Sequence, residues 1–229
     1  SFYHGLDIAA KLFTRVGDSS YAAKCEATKN DVKATLEAIG MIFYDQSTNR
    51  QKDGAVIHAF SSFGAYSITD QKVAKTIQTL GLTFCNEYPI NVQDNKNSIP
   101  GVLIGRYPGD VYAGGNPWQL LTAVTAKSFY QGAAAISKIT DFLHQKIKVL
   151  GRTLKRLKEL LIRELAEAAV SAGDAVMYRL YHHVNDRDGH VDEQISKTTG
   201  VQTSAKDLTW SYANILSAMK ERNKAAAML

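Results

Sequence analysis

The sequence predicts an all-α fold. Apolar residues recur at spacings of three and four through segments of ten to twenty residues, helix-start residues stand ahead of several of these segments, and convincing alternating strand patterns are scarce. The first helix carries Leu6, Ala9, Leu12 and Phe13. Ser19 and Ser20 open the second, which continues through Val32, Leu36 and Ile39. Asp70 caps the third, built on Val73, Ile77, Leu80 and Phe84. A fourth begins at Pro117, because a proline at the first helical position lacks only an N–H that would be orphaned anyway, and runs to about residue 138.

The fifth predicted helix covers 140–172, with a break or kink near Gly151. Ile147, Leu150, Leu154, Leu157, Leu161 and Leu165 form a stripe at spacings of 3, 4, 3, 4 and 4. Lys148, Arg152, Lys155, Arg156 and Arg163 lie on the opposite face, read as a solvated basic surface on an ordinary globular helix. A sixth helix at 173–184 and a seventh from Asp207 to about 224 complete the set. The best strand candidate is 55–60, Ala55-Val56-Ile57-His58-Ala59-Phe60.

A chain of 229 residues with 45% hydrophobic and 21% charged residues can bury a sizeable core. The net charge of +5 raises the question of nucleic acid or membrane partners, but most of the surplus sits between Lys146 and Arg163 and no nucleic-acid signature surrounds it. Neither partner is expected. No apolar run approaches the roughly 18 residues that span a bilayer, and Ser1-Phe2-Tyr3-His4 shows no basic stretch followed by an apolar one. Cys25 and Cys85 are read as buried thiols, with a single bridge as the alternative. The six histidines show no metal-ligand spacing, and no nucleophile elbow or phosphate loop occurs, so neither metal nor cofactor is expected.

Three long irregular stretches remain, at about 44–69, 86–116 and 185–206. Loops of that length in a compact domain are usually functional. The second holds Arg106, Tyr107, Asp110, Tyr112 and, after Asn116-Pro117, Trp118: an arginine, a carboxylate and three aromatics within thirteen residues. Such a set suits a sugar pocket, since rings pack on the apolar faces of pyranoses while guanidinium and carboxylate groups meet the fixed fan of hydroxyls. The same residues also suit a purely structural arrangement, with the aromatics capping the core and Arg106 paired to Asp110. The third loop sets Asp192 and Glu193 side by side, where burial of both would oppose like charges.

Together these loops resemble glycoside hydrolase family 15, the glucoamylases, in its fungal and yeast branch. Ile104-Gly105-Arg106-Tyr107-Pro108-x-Asp110-x-Tyr112 with Gly115-Asn116-Pro117-Trp118 is similar to the family's arginine-containing subsite motif. Glu193-Gln194, Thr199-Gly200 and 204–213 (Ser-Ala-Lys-Asp-Leu-Thr-Trp-Ser-Tyr-Ala) are similar to its catalytic-base motif and the helix after it.

The resemblance implies an (α/α)6 barrel, of which 1–229 is the C-terminal half of one catalytic domain. It implies inverting release of β-glucose from the non-reducing ends of starch, glycogen or maltooligosaccharides, and a secreted or vacuolar location. Inversion needs two carboxyl groups roughly 6.5–9.5 Å apart, an acid and a base. Glu193 matches the base, Arg106 and Asp110 match subsite polar groups, and Tyr112, Trp118 and Trp210 match pocket aromatics. Tyr107 matches in position, where it either touches sugar or supports the arginine loop. The family's Trp-Glu-Glu acid motif does not occur, so the acid is expected from the N-terminal half and this chain alone is expected to be inactive. Gly109 stands where the family often has Glu. A non-catalytic glucan-binding module reusing the fold, and a helical scaffold binding through the basic face, are the competing readings; retention of Glu193 beside Arg106, Asp110 and Trp118 favours the enzyme.

Overall fold

The computed structural model describes residues 2–38, 52–146, 152–185 and 188–229. Among them the fold is helical: α1 (Phe2–Arg15), α2 (Ser19–Ala38), α3 (Ile57–Ser61), α4 (Gln71–Glu87), α5 (Pro89–Lys96), α6 (Gln119–Lys146), α7 (Arg152–Val184) and α8 (Thr209–Ala226). One two-stranded antiparallel ribbon joins β1 (Gln194–Ile195) to β2 (Gln202–Thr203).

Side-chain capping explains the starts of α2 and α4. The Asp70 carboxylate accepts the Lys72 N–H and opens α4 as expected. At α2 the cap is Asp18, which takes the Tyr21 N–H at 3.0 Å, so the serines behind it are already helical. Asp207 does not cap α8; its carboxylate receives the Tyr212 hydroxyl and His190 instead, and the helix starts two residues later.

Three other expectations change. Residues 57–61 form α3, not a strand, because Asp53 accepts the Ala55 N–H and starts a helical turn. Pro89 opens α5 inside the second predicted loop. The predicted boundary near residue 139 is absent, since α6 continues to Lys146, and the predicted fifth and sixth helices are one element, α7. The expected break near Gly151, with Ile147 and Leu150, lies outside the described residues.

The core has two parts. Near the start of α6, Ile57, Phe60, Phe84, Leu103, Ile104 and Leu120 form an aliphatic and aromatic cluster. Farther along, Ala126, Ala133, Ala134, Val176, Ala218 and Ala225 let α6, α7 and α8 approach closely. Gly173 belongs to this contact: a Cβ there would lie 2.5 Å from the Tyr130 ring. The leucine stripe of α7, expected inward, is solvent-exposed at Leu157, Leu161 and Leu165; Ala166, roughly half a turn round, is the buried position. Cys25 and Cys85 are free and partly exposed, so neither the buried nor the bridged alternative holds.

Candidate active site

The arginine loop is built from tight turns. Asp110 N–H donates to the Tyr107 carbonyl at 3.2 Å, with Pro108 and Gly109 at the corner. Gly109 has φ +74°, a left-handed backbone that suits glycine. Gly115 is left-handed too, and a Cβ there would meet the Asp110 carbonyl oxygen at 1.7 Å. The Arg106 carbonyl accepts the Gly54 N–H at 2.5 Å, tying the loop to the turn ahead of α3.

These turns aim Arg106 at Asp110. Nε and Nη2 donate to the two carboxylate oxygens at 2.8 and 2.6 Å, a fork that uses one edge of the guanidinium. The guanidinium carbon lies 4.8, 5.3 and 5.5 Å from the ring centroids of Tyr112, Tyr107 and Trp118. Burial alone would raise the Asp110 carboxyl, but the Arg106 fork, the Tyr112 N–H and the Tyr107 hydroxyl outweigh it and hold it below the usual carboxylate range. Asp110 in turn raises Arg106. The Arg106–Asp110 pair of the structural reading forms, and half of Tyr112 remains open to solvent.

Glu193 sits where the ribbon begins. Its N–H donates to the Ala205 carbonyl at 2.8 Å, and its own carbonyl accepts the Gln119 N–H at 3.1 Å. Its carboxylate is buried, and Oε2 accepts the Ser204 hydroxyl. Ser204 holds φ +71°, a backbone that a residue with a Cβ adopts at a cost, and that fold-imposed bend turns its hydroxyl to Glu193. Asp192 is buried as well but points elsewhere, with Oδ1 accepting the Asp207 N–H at 3.3 Å. The two adjacent acids thus diverge.

Asn116 joins the two loops. Its Oδ1 accepts the Lys197 N–H at 3.0 Å, and its Nδ2 donates to the Ala113 carbonyl at 2.8 Å and lies 3.1 Å from the Gln194 side-chain amide. Ile195 N–H donates to the Pro117 carbonyl at 3.0 Å, and Trp118 bridges Gln194. Trp210, at the start of α8, is half-exposed and stacks on His58 with centroids 5.8 Å apart.

The family model described as glycosyl hydrolases family 15 matches residues 3–220. The chain belongs to glycosyl hydrolases family 15. A glucoamylase of Blastobotrys adeninivorans is 29% identical over 74% of this chain and 30% of its own length. One from Saccharomycopsis fibuligera is 33% identical over 62% of this chain and 33% of its own. The chain therefore spans about a third of the length of these curated relatives. The structure of a Saccharomycopsis fibuligera glucoamylase matches 99% of this chain and 55% of that one, with TM-score 0.76 and 24% identity. The all-α fold is thus part of the (α/α)6 barrel that family 15 glucoamylases adopt.

Within this family 15 frame, sequence reading missed three residues. Asn116 is quoted in the arginine motif but gives no sign of its partners across the chain. Ser204 gains its role from a positive φ that no local pattern announces. His58 lies outside both motifs; burial, with Lys127 adding to it, pushes its imidazole down to about 4. Among the described residues, Asp94, His182 and His183 bring ligand-type atoms within 4.8 Å of one another, a group that could hold a metal ion. Fully buried Arg179 stands 3.2 Å from Asp94, and His183 bonds it at 2.7 Å, so the carboxylate already has its counter-charge.

Proposed function

We propose that residues 1–229 form the C-terminal half of one inverting glucoamylase catalytic domain, hydrolysing terminal α-1,4 links, and α-1,6 links more slowly, in starch, glycogen or maltooligosaccharides. Glu193 is the general base. It deprotonates a water that attacks the anomeric carbon from the face opposite the leaving oxygen, so β-glucose leaves with inverted configuration. Ser204 engages Oε2; among the described residues no hydrogen bond engages Oε1, the atom that would take the proton. Arg106 offers sugar hydroxyls the guanidinium edge that Asp110 does not use. Tyr112, Trp118 and Trp210 supply ring faces to pyranoses, and Tyr107 steadies the arginine.

The general acid comes from the N-terminal half of the domain, and the enzyme acts in a secreted or vacuolar setting. The observation that carries this reading is the backbone clamp on Glu193: Ala205 on one side and Gln119 on the other fix a buried carboxylate one residue from the Trp118 strand bridge. Glucose release from maltose, by this chain alone and with an added N-terminal half bearing the acid, tests it. Only the combination should release glucose, and Glu193→Gln should lower that rate about 10²- to 10⁴-fold. Equal rates from Glu193→Gln and wild type would refute the base assignment. Maltooligosaccharide binding with no release by any combination would transfer the chain to the binding-module reading.

A further inference from the structure

Of the aromatics read as ring faces for sugar, Tyr112 and Trp118 have centroids 4.8 and 5.5 Å from the Arg106 guanidinium carbon, whereas Trp210 belongs to the first turn of α8. Its indole needs a support of its own. His58 of α3 provides one, with ring centroids 5.8 Å apart and planes 29° from parallel, within the range of offset stacking.

The imidazole is itself fixed. It is buried, its Nδ1 shares a hydrogen bond of 3.0 Å with the Ser62 hydroxyl one turn along, and the Phe63 ring packs against it at 6.1 Å. Its Nε2 is buried too and has no hydrogen-bond partner among the described residues. An unpaired buried nitrogen costs stability that a carbon ring of that size would not. What the imidazole gains is the Ser62 bond, which stops the ring from turning about its own axis. Burial, with Lys127 of α6 adding to it, keeps the ring neutral above about pH 4, so it stacks without drawing in a counter-ion.

His58 also stands on a rigid base. Ser61 and Gln131 exchange hydrogen bonds of 2.9 and 3.0 Å, fastening α3 to α6. Ahead of α3, the Gly54 N–H donates to the Arg106 carbonyl. The short helix α3 is thus bonded to the arginine loop at one end and stacked on Trp210 through His58.

We propose that His58 is a positioning residue for the sugar site: it holds the Trp210 indole in one orientation, and α3 thereby fixes that ring face relative to Arg106. The inference rests on the reading of Trp210 as a ring face for pyranoses. A pyranose packs flat on an aromatic ring, so an indole free to turn loses affinity for the substrate. Glu193 is clamped separately by Ala205 and Gln119, so His58 governs binding and not proton transfer.

The sequence has two tryptophans, so Trp118→Phe leaves Trp210 as the sole indole, and time-resolved fluorescence anisotropy of the whole chain then reads its motion. The parent decay should follow the tumbling of the chain. In His58→Ala a sub-nanosecond component should appear and carry at least about a third of the amplitude. His58→Phe, which keeps a ring but loses the Ser62 bond, and Ser62→Ala should both fall between; Ser62→Ala decides the matter if His58→Ala loses its far-UV helix signal. With Trp118 in place and the N-terminal half added, His58→Ala should raise KM for maltose at least about fivefold with kcat within about twofold, and His58→Phe should recover part of the loss. An indole as immobile in these variants as in the parent would overturn the proposal. A loosened indole with unchanged KM would overturn it as well, by taking Trp210 out of the sugar site. Because the anisotropy is read without glucose release, failure of the glucoamylase reading and failure of this one are told apart.

Discussion

At the scale of single residues, two side chains have consequences that can be measured directly. Asp110 accepts both donors of the Arg106 fork, and an amide in its place offers one acceptor and no charge. Asp110→Asn should cost about 1.5–3 kcal/mol in urea unfolding, because a partly buried guanidinium then lacks its counter-charge. His58 is 9% exposed, and its imidazole is held at about 4 against an ordinary 6.5. Its folded state disfavours the proton, so the stability it contributes is whole above pH 6.5 and is lost as pH falls toward 4. That loss is on the order of 3 kcal/mol. His58→Phe keeps a ring against Trp210 and cannot titrate; its unfolding free energy should vary less than wild type's between pH 7 and 4.5.

Elements show how two loops far apart in sequence are brought together. The arginine loop is shaped by its own turns at Pro108–Gly109 and Gly115, and the base loop by the β1–β2 ribbon. Besides the backbone bonds from Ile195 to Pro117 and from Gln119 to Glu193, Asn116 links them through its side chain, whose oxygen takes the Lys197 N–H while its nitrogen reaches Ala113 of its own loop. Asn116→Ala leaves both loops folded but removes this connection. In the reconstituted enzyme kcat should fall about tenfold or more, since small displacements of a base are costly, with Tm lowered by only a few degrees. An unchanged kcat would show that the backbone bonds from Pro117 and Gln119 suffice.

For the whole molecule, the decisive feature is apolar surface left open on α1 and α8. Ile8 and Leu12 on α1, and Leu216 and Met219 on α8, are each more than half exposed. Patches of this kind normally meet a partner, and on the function proposed above that partner is the N-terminal half of the domain. The isolated chain should therefore bind a hydrophobic dye such as ANS, and adding the N-terminal half should quench most of that fluorescence.

The sequence by itself determined the helical class and the starts of several helices, and it nominated the candidate site residues, because caps, 3.6-residue periodicity and the two loop motifs are local properties. Asp70, Arg106, Asp110 and Glu193 could each be picked out from their neighbours along the chain. Only the tertiary structure decided the rest. That 57–61 is a helix follows from the Asp53 turn ahead of it, and that Asp192 turns from Glu193 toward Asp207 follows from packing at the start of α8. The α7 stripe makes the same point: periodicity defines an apolar face, but which face is covered depends on how far α6 and α8 extend beside it, a length relation between elements that no single helix encodes.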